Sequence, residues 1–464
     1  MHPAIYRKIV LPLVRSLQGK KELVFLKELE KSQFLTREEL INLQFMKAKA
    51  LLEHASRTVP YYGAVMKEAG FDPSRMESLD ELAGLPSLTK RIIRENKAEL
   101  VSRSFSQRDL LPDSTGGSTG EFVWYYHDRI KMDKMAAAAY RCYRWCGLDV
   151  GMKIAKLWGS PRDIAAQTKL RRRIAAFVKN ELFLPCYELT DGKIREYLGI
   201  LREFRPDVIE GYTSVLFLLA SYITTKGVQL PRPGAMIATA ECVSQDERDT
   251  IEDVFGAPVF NKYGSRELGF IAMECREHNG LHMNMERHLV ECMVDGRPGR
   301  EDEIGEIVVT DMDGFAMPFI RYRTGDLGTI TRRHCACGRE LLMIENLCGR
   351  TVDLVVTQEG KLLPGLFLAT VFRHSGVVER FQVHQTKNGT LNVKLLPNRN
   401  FGPDSERMLE SSLRAYVGDS MQISFELVDE ILPAPSGKLK LVTSDMKPDF
   451  TAGKLTTGKR SGGR

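Results

Sequence analysis

Lys153-Ile-Ala-Lys-Leu-Trp158, Val208-Ile-Glu210, Ala235-Met-Ile-Ala238 and Pro258-Val-Phe-Asn-Lys262 make residues 150–270 the stretch that decides the fold. Each is a short apolar run ahead of a loop, and amphipathic helical segments separate them. Such alternation builds α/β layers on a largely parallel sheet. Upstream, residues 20–100 carry apolar side chains at helical spacing through Leu23–Phe34 and Glu38–Ala55, with Thr36 placed to cap the second helix. Pro60-Tyr-Tyr-Gly63 breaks that pattern. From 287 to 330 the pattern turns antiparallel, with strands expected at Leu289–Val294, Gly305–Thr310 and Gly328–Thr331.

A second shift comes near Gly349-Arg350. Beyond it strands are expected at Leu354–Thr357, Arg380–Gln385, Thr390–Leu395 and Gln422–Leu427, with a helix over 404–417. The expected organisation is a large α/β domain over 1–348, a small α+β domain over 349–450, and a disordered Gly/Lys/Thr/Ser-rich tail over 451–464.

A chain of 464 residues is too long for one simple core. With 43% hydrophobic and 27% charged residues it has the composition of a soluble globular protein. The net charge of +6 is interspersed, so no nucleic-acid partner is implied, while an anionic small ligand suits it. No apolar run reaches the length of a membrane span. The N-terminal Tyr6–Leu17 segment is short, is interrupted by Arg15 and lacks a cleavage site. It reads as packing on the body of the protein, with weak contact to a membrane surface as the other use of a basic amphipathic segment. Nine scattered cysteines argue for a reducing compartment, hence the cytoplasm, and against a disulfide framework.

Ser114-Thr115-Gly116-Gly117-Ser118-Thr119-Gly120 is the first stretch that carries chemistry. Glycines let backbone amides approach an oxyanion, and the hydroxyls of Ser114, Thr115, Ser118 and Thr119 can donate to it. Composition alone also fits a solvated linker. The Gly-Lys-Ser/Thr ending of a P-loop is missing. Further on come Asn261-Lys-Tyr263-Gly264-Ser265-Arg266-Glu267-Leu-Gly269, Arg321-Tyr-Arg323-Thr324-Gly325-Asp326-Leu327, Gly349-Arg350-Thr-Val-Asp353 and Pro433-Ala-Pro-Ser-Gly437-Lys438. Each alone is also an ordinary turn or loop.

In this order and spacing the five motifs resemble the adenylate-forming superfamily of acyl-CoA synthetases, luciferases and peptide-synthetase adenylation domains, over about residues 50–445. Val59-Pro-Tyr-Tyr62, Glu210-Gly-Tyr-Thr-Ser214, Glu274-Cys with Gly280-Leu-His282, and the compact C-terminal part resemble the phenylacetate–CoA ligase and capsule-polysaccharide CapK-like branch. The resemblance implies layered sheets with a small β-barrel region in the large domain, and a mobile C-terminal domain hinged within Gly349–Asp353. It implies activation of a carboxylic acid, aryl or related, by ATP to an acyl-adenylate with release of pyrophosphate, then transfer to coenzyme A.

The same resemblance implies the roles. The loop 114–120 holds the β- and γ-phosphates, Tyr263 lies on adenine beside Gly264 and Ser265, Glu267 holds Mg²⁺, and Asp326 takes the ribose hydroxyls. Arg350 lies near the nucleotide, and Lys438 bridges the carboxylate and the α-phosphate. Ala240 and Glu241 are placed at the nucleotide and, with Trp158-Gly-Ser160, Tyr212 and Thr213, as candidate walls of the acyl pocket; core residues and helix starts are the other reading of these. Arg266 stands where the superfamily carries Thr or Ser against the α-phosphate, and Val352 stands where the hinge is acidic.

Cys275, His278 or His282, Cys335 and Cys337 offer thiolate and imidazole for a structural Zn²⁺. Spacing alone pairs Cys275 with His278, whereas the resemblance points to His282. Two acceptors stay open, CoA and an amine such as an aminosugar or amino acid, as does the choice of monomer or homodimer. A catalytically silent binding protein on the same fold is a third reading, against which Glu267, Asp326 and Lys438 stand.

Overall fold

The computed structural model describes all residues except 1–10, 14–18, 115–122, 159–179, 187–188, 242, 295, 302, 349–350, 353, 360–361, 432–439, 447, 450–455 and 458–464. Helices α1 (Glu22–Ser32), α2 (Arg37–Thr58) and α3 (Pro60–Glu68) open it. Thr36 caps α2 reciprocally with Glu39, and Pro60 occupies the start of α3, where no amide hydrogen is needed. Leu11 is buried against Leu26, Leu29 and Val150, so this part of the N-terminal segment packs on the body. After α4 (Lys90–Glu95), strands β1 (Leu111–Ser114) and β2 (Trp124–His127) form an antiparallel hairpin that leads into α5 (Arg129–Trp145).

The large sheet uses β3 (Ile154–Trp158), β4 (Glu181–Pro185), β5 (Val208–Tyr212), β6 (Ala235–Thr239) and β7 (Val259–Ser265) as its parallel half. Helices α6 (Asp191–Phe204), α7 (Thr213–Lys226) and α8 (Gln245–Phe255) connect them. Its antiparallel half comprises β8 (Gly269–Glu274), β9 (Leu281–Met283), β10 (His288–Val294), β11 (Arg297–Pro298), β12 (Gly305–Asp311), β13 (Tyr322–Thr331) and β14 (Met343–Cys348). The order is β11-β10-β12-β13-β14-β9-β8-β7-β6-β5-β3-β4. The expected α/β class is observed. Among the described residues the two strand regions run as one open twelve-stranded sheet, because β7 is parallel to β6 on one side and antiparallel to β8 on the other.

The C-terminal part carries β15 (Thr351–Val352), a hairpin of β16 (Leu354–Val356) and β17 (Leu362–Pro364), α9 (Gly365–His374), β18 (Val378–Gln385), β19 (Leu391–Pro397), α10 (Ser405–Val417), β20 (Ile423–Leu427) and β21 (Lys440–Ser444). A five-stranded sheet, β15-β21-β18-β19-β20, shares one core with α9 and α10, including Leu368, Phe372, Val383, Leu409 and Leu413. Of the tail, only Thr456–Thr457 is described, paired with Pro448–Asp449; the rest lies outside the described residues.

A buried charge network braces the sheet behind the β7–β8 turn. Lys131 of α5 meets Asp311 at 2.7 Å, and Arg287 meets Asp313 at 2.9 Å. Lys47 and Lys134 reach the same Asp313 at 3.0 and 2.7 Å. Burial raises both carboxyls, but the cations outweigh it: Lys131 and Arg287 hold Asp311, and Lys47, Arg287 and Lys134 hold Asp313, below the ordinary range. Removing one partner leaves an uncompensated buried charge, at a cost of about 3–5 kcal/mol. Lys131→Met is therefore expected to lower unfolding stability by roughly that amount in urea at neutral pH. The stabilisation that this pair supplies to the native protein is fully present above the unfolded Asp value of about 4 and is lost as pH falls through the folded value, so the gap between wild type and variant narrows in acid. An unchanged midpoint at neutral pH contradicts the account.

Candidate active site

The site is built on the turn between β7 and β8. A Cβ on Gly264 would lie 2.3 Å from the Gly269 carbonyl oxygen, so the strands can close this tightly only on glycine. Gly269 itself sits at φ +76°, in the region that favours glycine. The turn leaves Tyr263 at the end of β7 and lifts Glu267, both buried. Ser265 Oγ accepts from the Leu268 N–H at 3.3 Å, and the Leu268 carbonyl meets His288 Nε2 at 3.1 Å.

Across the sheet, β13 is bulged. Val308 pairs with Arg323 and Glu306 with Leu327, so Ile307 alone faces Thr324, Gly325 and Asp326. Gly325 has φ +76°. Thr324 Oγ1 donates to the Ile307 carbonyl at 2.7 Å and accepts from the Asp326 N–H at 3.2 Å, which fixes the bulge. The bulge brings Asp326 Oδ2 to 3.0 Å from the Tyr263 hydroxyl, with Thr324 Oγ1 at 3.3 Å. Burial, then Asp326, pushes the Tyr263 phenol well up. At the head of the same strand Tyr322 donates to Glu267 Oε1 at 3.1 Å. Tyr322 and Thr324 were not singled out in the sequence, although both lie inside a quoted motif. Arg321 instead serves the fold: its guanidinium donates to the Leu85 and Ala83 carbonyls and to Glu291.

Of the Ser/Thr/Gly stretch, Ser114 closes β1. Ser114, buried, pairs with Trp124, and residues 115–120 lie outside the described residues. The hairpin base adjoins the turn: Tyr125 feels the charges of Glu267 and Arg266, and the neighbouring His127 imidazole is driven to about 3 by burial and by Lys131. Arg350 and Lys438 also lie outside the described residues. Ala240 adopts φ +65° after β6, and Glu241 accepts from the Ser214 N–H at 2.7 Å and its hydroxyl at 3.1 Å. Glu241 thus caps the start of α7, where a carboxylate is favoured.

Cys275, His282, Cys335 and Cys337 come together, their ligand atoms all within 4.8 Å of one another. Backbone N–H groups of Glu277, Cys337 and Arg339 are directed at the sulfurs of Cys275, Cys335 and Cys337, respectively. Burial, then Arg339, lowers His282 to about 4, leaving a neutral imidazole. His278 is committed elsewhere, to Glu274 at 3.2 Å and Arg248 at 3.1 Å, with its ring against Phe260.

Residues 355–445 match the family model of the CapK C-terminal domain. The chain is similar to Protein CapK of Staphylococcus aureus, 24% identical over 416 residues that cover 88% of this chain and 90% of that protein. It is 26% identical to a phenylacetate-coenzyme A ligase of Thermus thermophilus, covering 77% of this chain and 80% of that protein. The fold is that of 2-hydroxyisobutyryl-CoA ligase crystallised in the thioesterification state, with TM-score 0.66 and 18% identity over 89% of this chain and 92% of that one. This chain is thus a relative of CapK and the phenylacetate–CoA ligases, with the fold of the adenylate-forming ligases.

Gly264→Ala is expected to destabilise the protein by about 1–3 kcal/mol, since the new methyl meets backbone and not a movable side chain. Chemical denaturation measures it, and a variant as stable as wild type contradicts the close approach.

Proposed function

We propose that this protein is an AMP-forming carboxylate ligase: it joins ATP and an aryl or related carboxylic acid into an acyl-adenylate, releases pyrophosphate and passes the acyl group to coenzyme A. The observation that carries this reading is the joining of Tyr263 to Asp326, and of Glu267 to Tyr322, beside the paired strands β1 and β2, the first of which ends at Ser114. The relatives named as phenylacetate-coenzyme A ligases support it.

Attack of a carboxylate on a phosphate concentrates negative charge, so the protein's part is positioning and charge stabilisation. The loop 114–120 binds the outer phosphates. Tyr263 receives the adenine beside Gly264 and Ser265, and Asp326 takes the ribose diol. Arg266 and Lys438 neutralise charge at the α-phosphate. Glu267 is the carboxylate available to Mg²⁺, a hard cation that prefers oxygen. Ala240 and Glu241 border the nucleotide, and Arg350 lies at the hinge of a C-terminal domain that reorients between the two half-reactions. ATP, CoA and reduced thiols suit the cytoplasm.

Lys438→Ala is expected to abolish ATP–pyrophosphate exchange across a panel of carboxylic acids while ATP still binds. CoA consumption, followed in parallel, identifies the acceptor. Normal exchange in the variant overturns the role of Lys438.

The Cys₃His cluster fits Zn²⁺: three thiols and one neutral imidazole converge, and amide hydrogens face the sulfurs. Held there, the ion ties β8 and β9 to the loop before β14. Metal analysis of protein purified without chelator is expected to give one zinc per chain, lost in His282→Ala and retained in His278→Ala. Stripping it should lower thermal stability. Absence of zinc from the wild type rejects the site.

A further inference from the structure

The strand pairing of the parallel half places Trp158, Tyr212, Thr239 and Lys262 in one row on one face of the sheet, at the carboxyl ends of β3, β5, β6 and β7. The row beneath it on the same face holds Lys156, Glu210, Ile237 and Phe260. β3 is the point where the strand order reverses, since the chain runs out to β4 and returns to β5 on the other side. Open α/β sheets bind ligands in the crevice outside the carboxyl ends of strands at such a point.

This end of the sheet has an unusual lining. Trp158 stacks on Tyr212 at 5.1 Å between centroids. The Lys262 ammonium lies over Phe270 at 4.5 Å and over Trp158 at 5.3 Å, and it is paired with Glu210. Tyr143 donates to the other oxygen of Glu210 at 2.8 Å, and its ring meets Phe270 edge-on. Lys156 pairs with Glu181 at 3.3 Å. Burial raises Glu210, but Lys262 and Lys156 outweigh it, so the carboxylate is ionised. Two ammonium groups therefore face two carboxylates, and the charges of these two pairs sum to zero.

An ammonium has three hydrogens. Among the described residues Glu210 is the acceptor that Lys262 bonds, and the other neighbours of the ammonium are the Trp158 and Phe270 rings. A purely apolar acid seated here would leave the remaining ammonium hydrogens without an acceptor, which is costly. A second carboxylate would meet Glu210. We propose that the acid this protein activates carries a neutral hydrogen-bonding group, a hydroxyl, on its tail, and that Lys262 and Glu210 select for it through the crevice at the carboxyl ends of β3, β5 and β7. This rests on the acid-activation reading above and narrows its substrate class.

The test is ATP–pyrophosphate exchange with matched acids: phenylacetate against 4-hydroxyphenylacetate, 3-phenylpropionate against its 4-hydroxyphenyl counterpart, and hexanoate against 6-hydroxyhexanoate and adipate. Wild type is expected to favour at least one hydroxylated member over its partner by about ten- to a hundred-fold in kcat/KM, the scale of one hydrogen bond to a charged group. Lys262→Met is expected to bring that ratio close to one, partly by improving the unsubstituted acid, whereas Lys262→Arg retains part of the preference. A wild-type ratio near one, a preference for adipate, or an equal loss on both members in Lys262→Met overturns the inference and leaves acid activation standing. Exchange with no acid of the panel overturns the activation reading and this inference with it. If Lys262→Met does not fold, the wild-type ratios decide.

Discussion

The contact on which the site depends is the approach of the Gly264 backbone to the Gly269 carbonyl. It lets β7, parallel to β6, turn at once into antiparallel β8. The fold changes its pairing mode at that turn, and the candidate site gathers there for the same reason. A tight reversal strips backbone groups from the ladder and lifts side chains off the sheet. Tyr263 and Glu267 lie on either side of it, and the turn is fixed from behind through Leu268, His288 and the buried charges around Arg287.

Two carboxylates are prepared in the same way. Asp326 is held at Oδ2 by Tyr263, and Glu267 at Oε1 by Tyr322. Among the described residues each keeps its second oxygen unbonded by protein. A carboxylate held by one hydrogen bond is oriented yet still able to accept, the condition a preorganised binding group must meet. Both tyrosines are buried and their phenols are raised well above the ordinary range, so they act as neutral donors throughout the physiological pH range.

Much of this was legible because short runs encode it. The buried strands β3, β5, β6 and β7 stood out as apolar stretches, Thr36 announced its helix, and Cys-x-Cys with a distant His announced the metal cluster. The Glu181–Pro185 strand did not: although Asn180 at φ +56° marks a turn before it, its five residues are too few to show a period and it pairs at the sheet edge. The Thr324-Gly-Asp326 stretch has the composition of a turn but lies inside β13, because a bulge and a turn need the same glycine at positive φ. Tyr322 and Lys262 were hidden for another reason. Their partners, Glu267 and Glu210, lie more than fifty positions away along the chain, and no local pattern predicts a pairing set by sheet register.

Register also explains how neighbours in β7 serve different ends. Successive side chains of a strand point to opposite faces. Tyr263 therefore faces Asp326 and the bulge of β13, while Lys262 faces Glu210 and the aromatic rings over the parallel half. A single strand end thus separates two environments, one tyrosine-lined and holding the carboxylates Asp326 and Glu267, the other ionic and balanced. Under the proposed function, a molecule activated at this turn presents its reacting group at the boundary between them. On the proposal made above, the face to which its tail turns is decided by which wall it can leave fully bonded, and the ionic wall selects a tail that can bond to it.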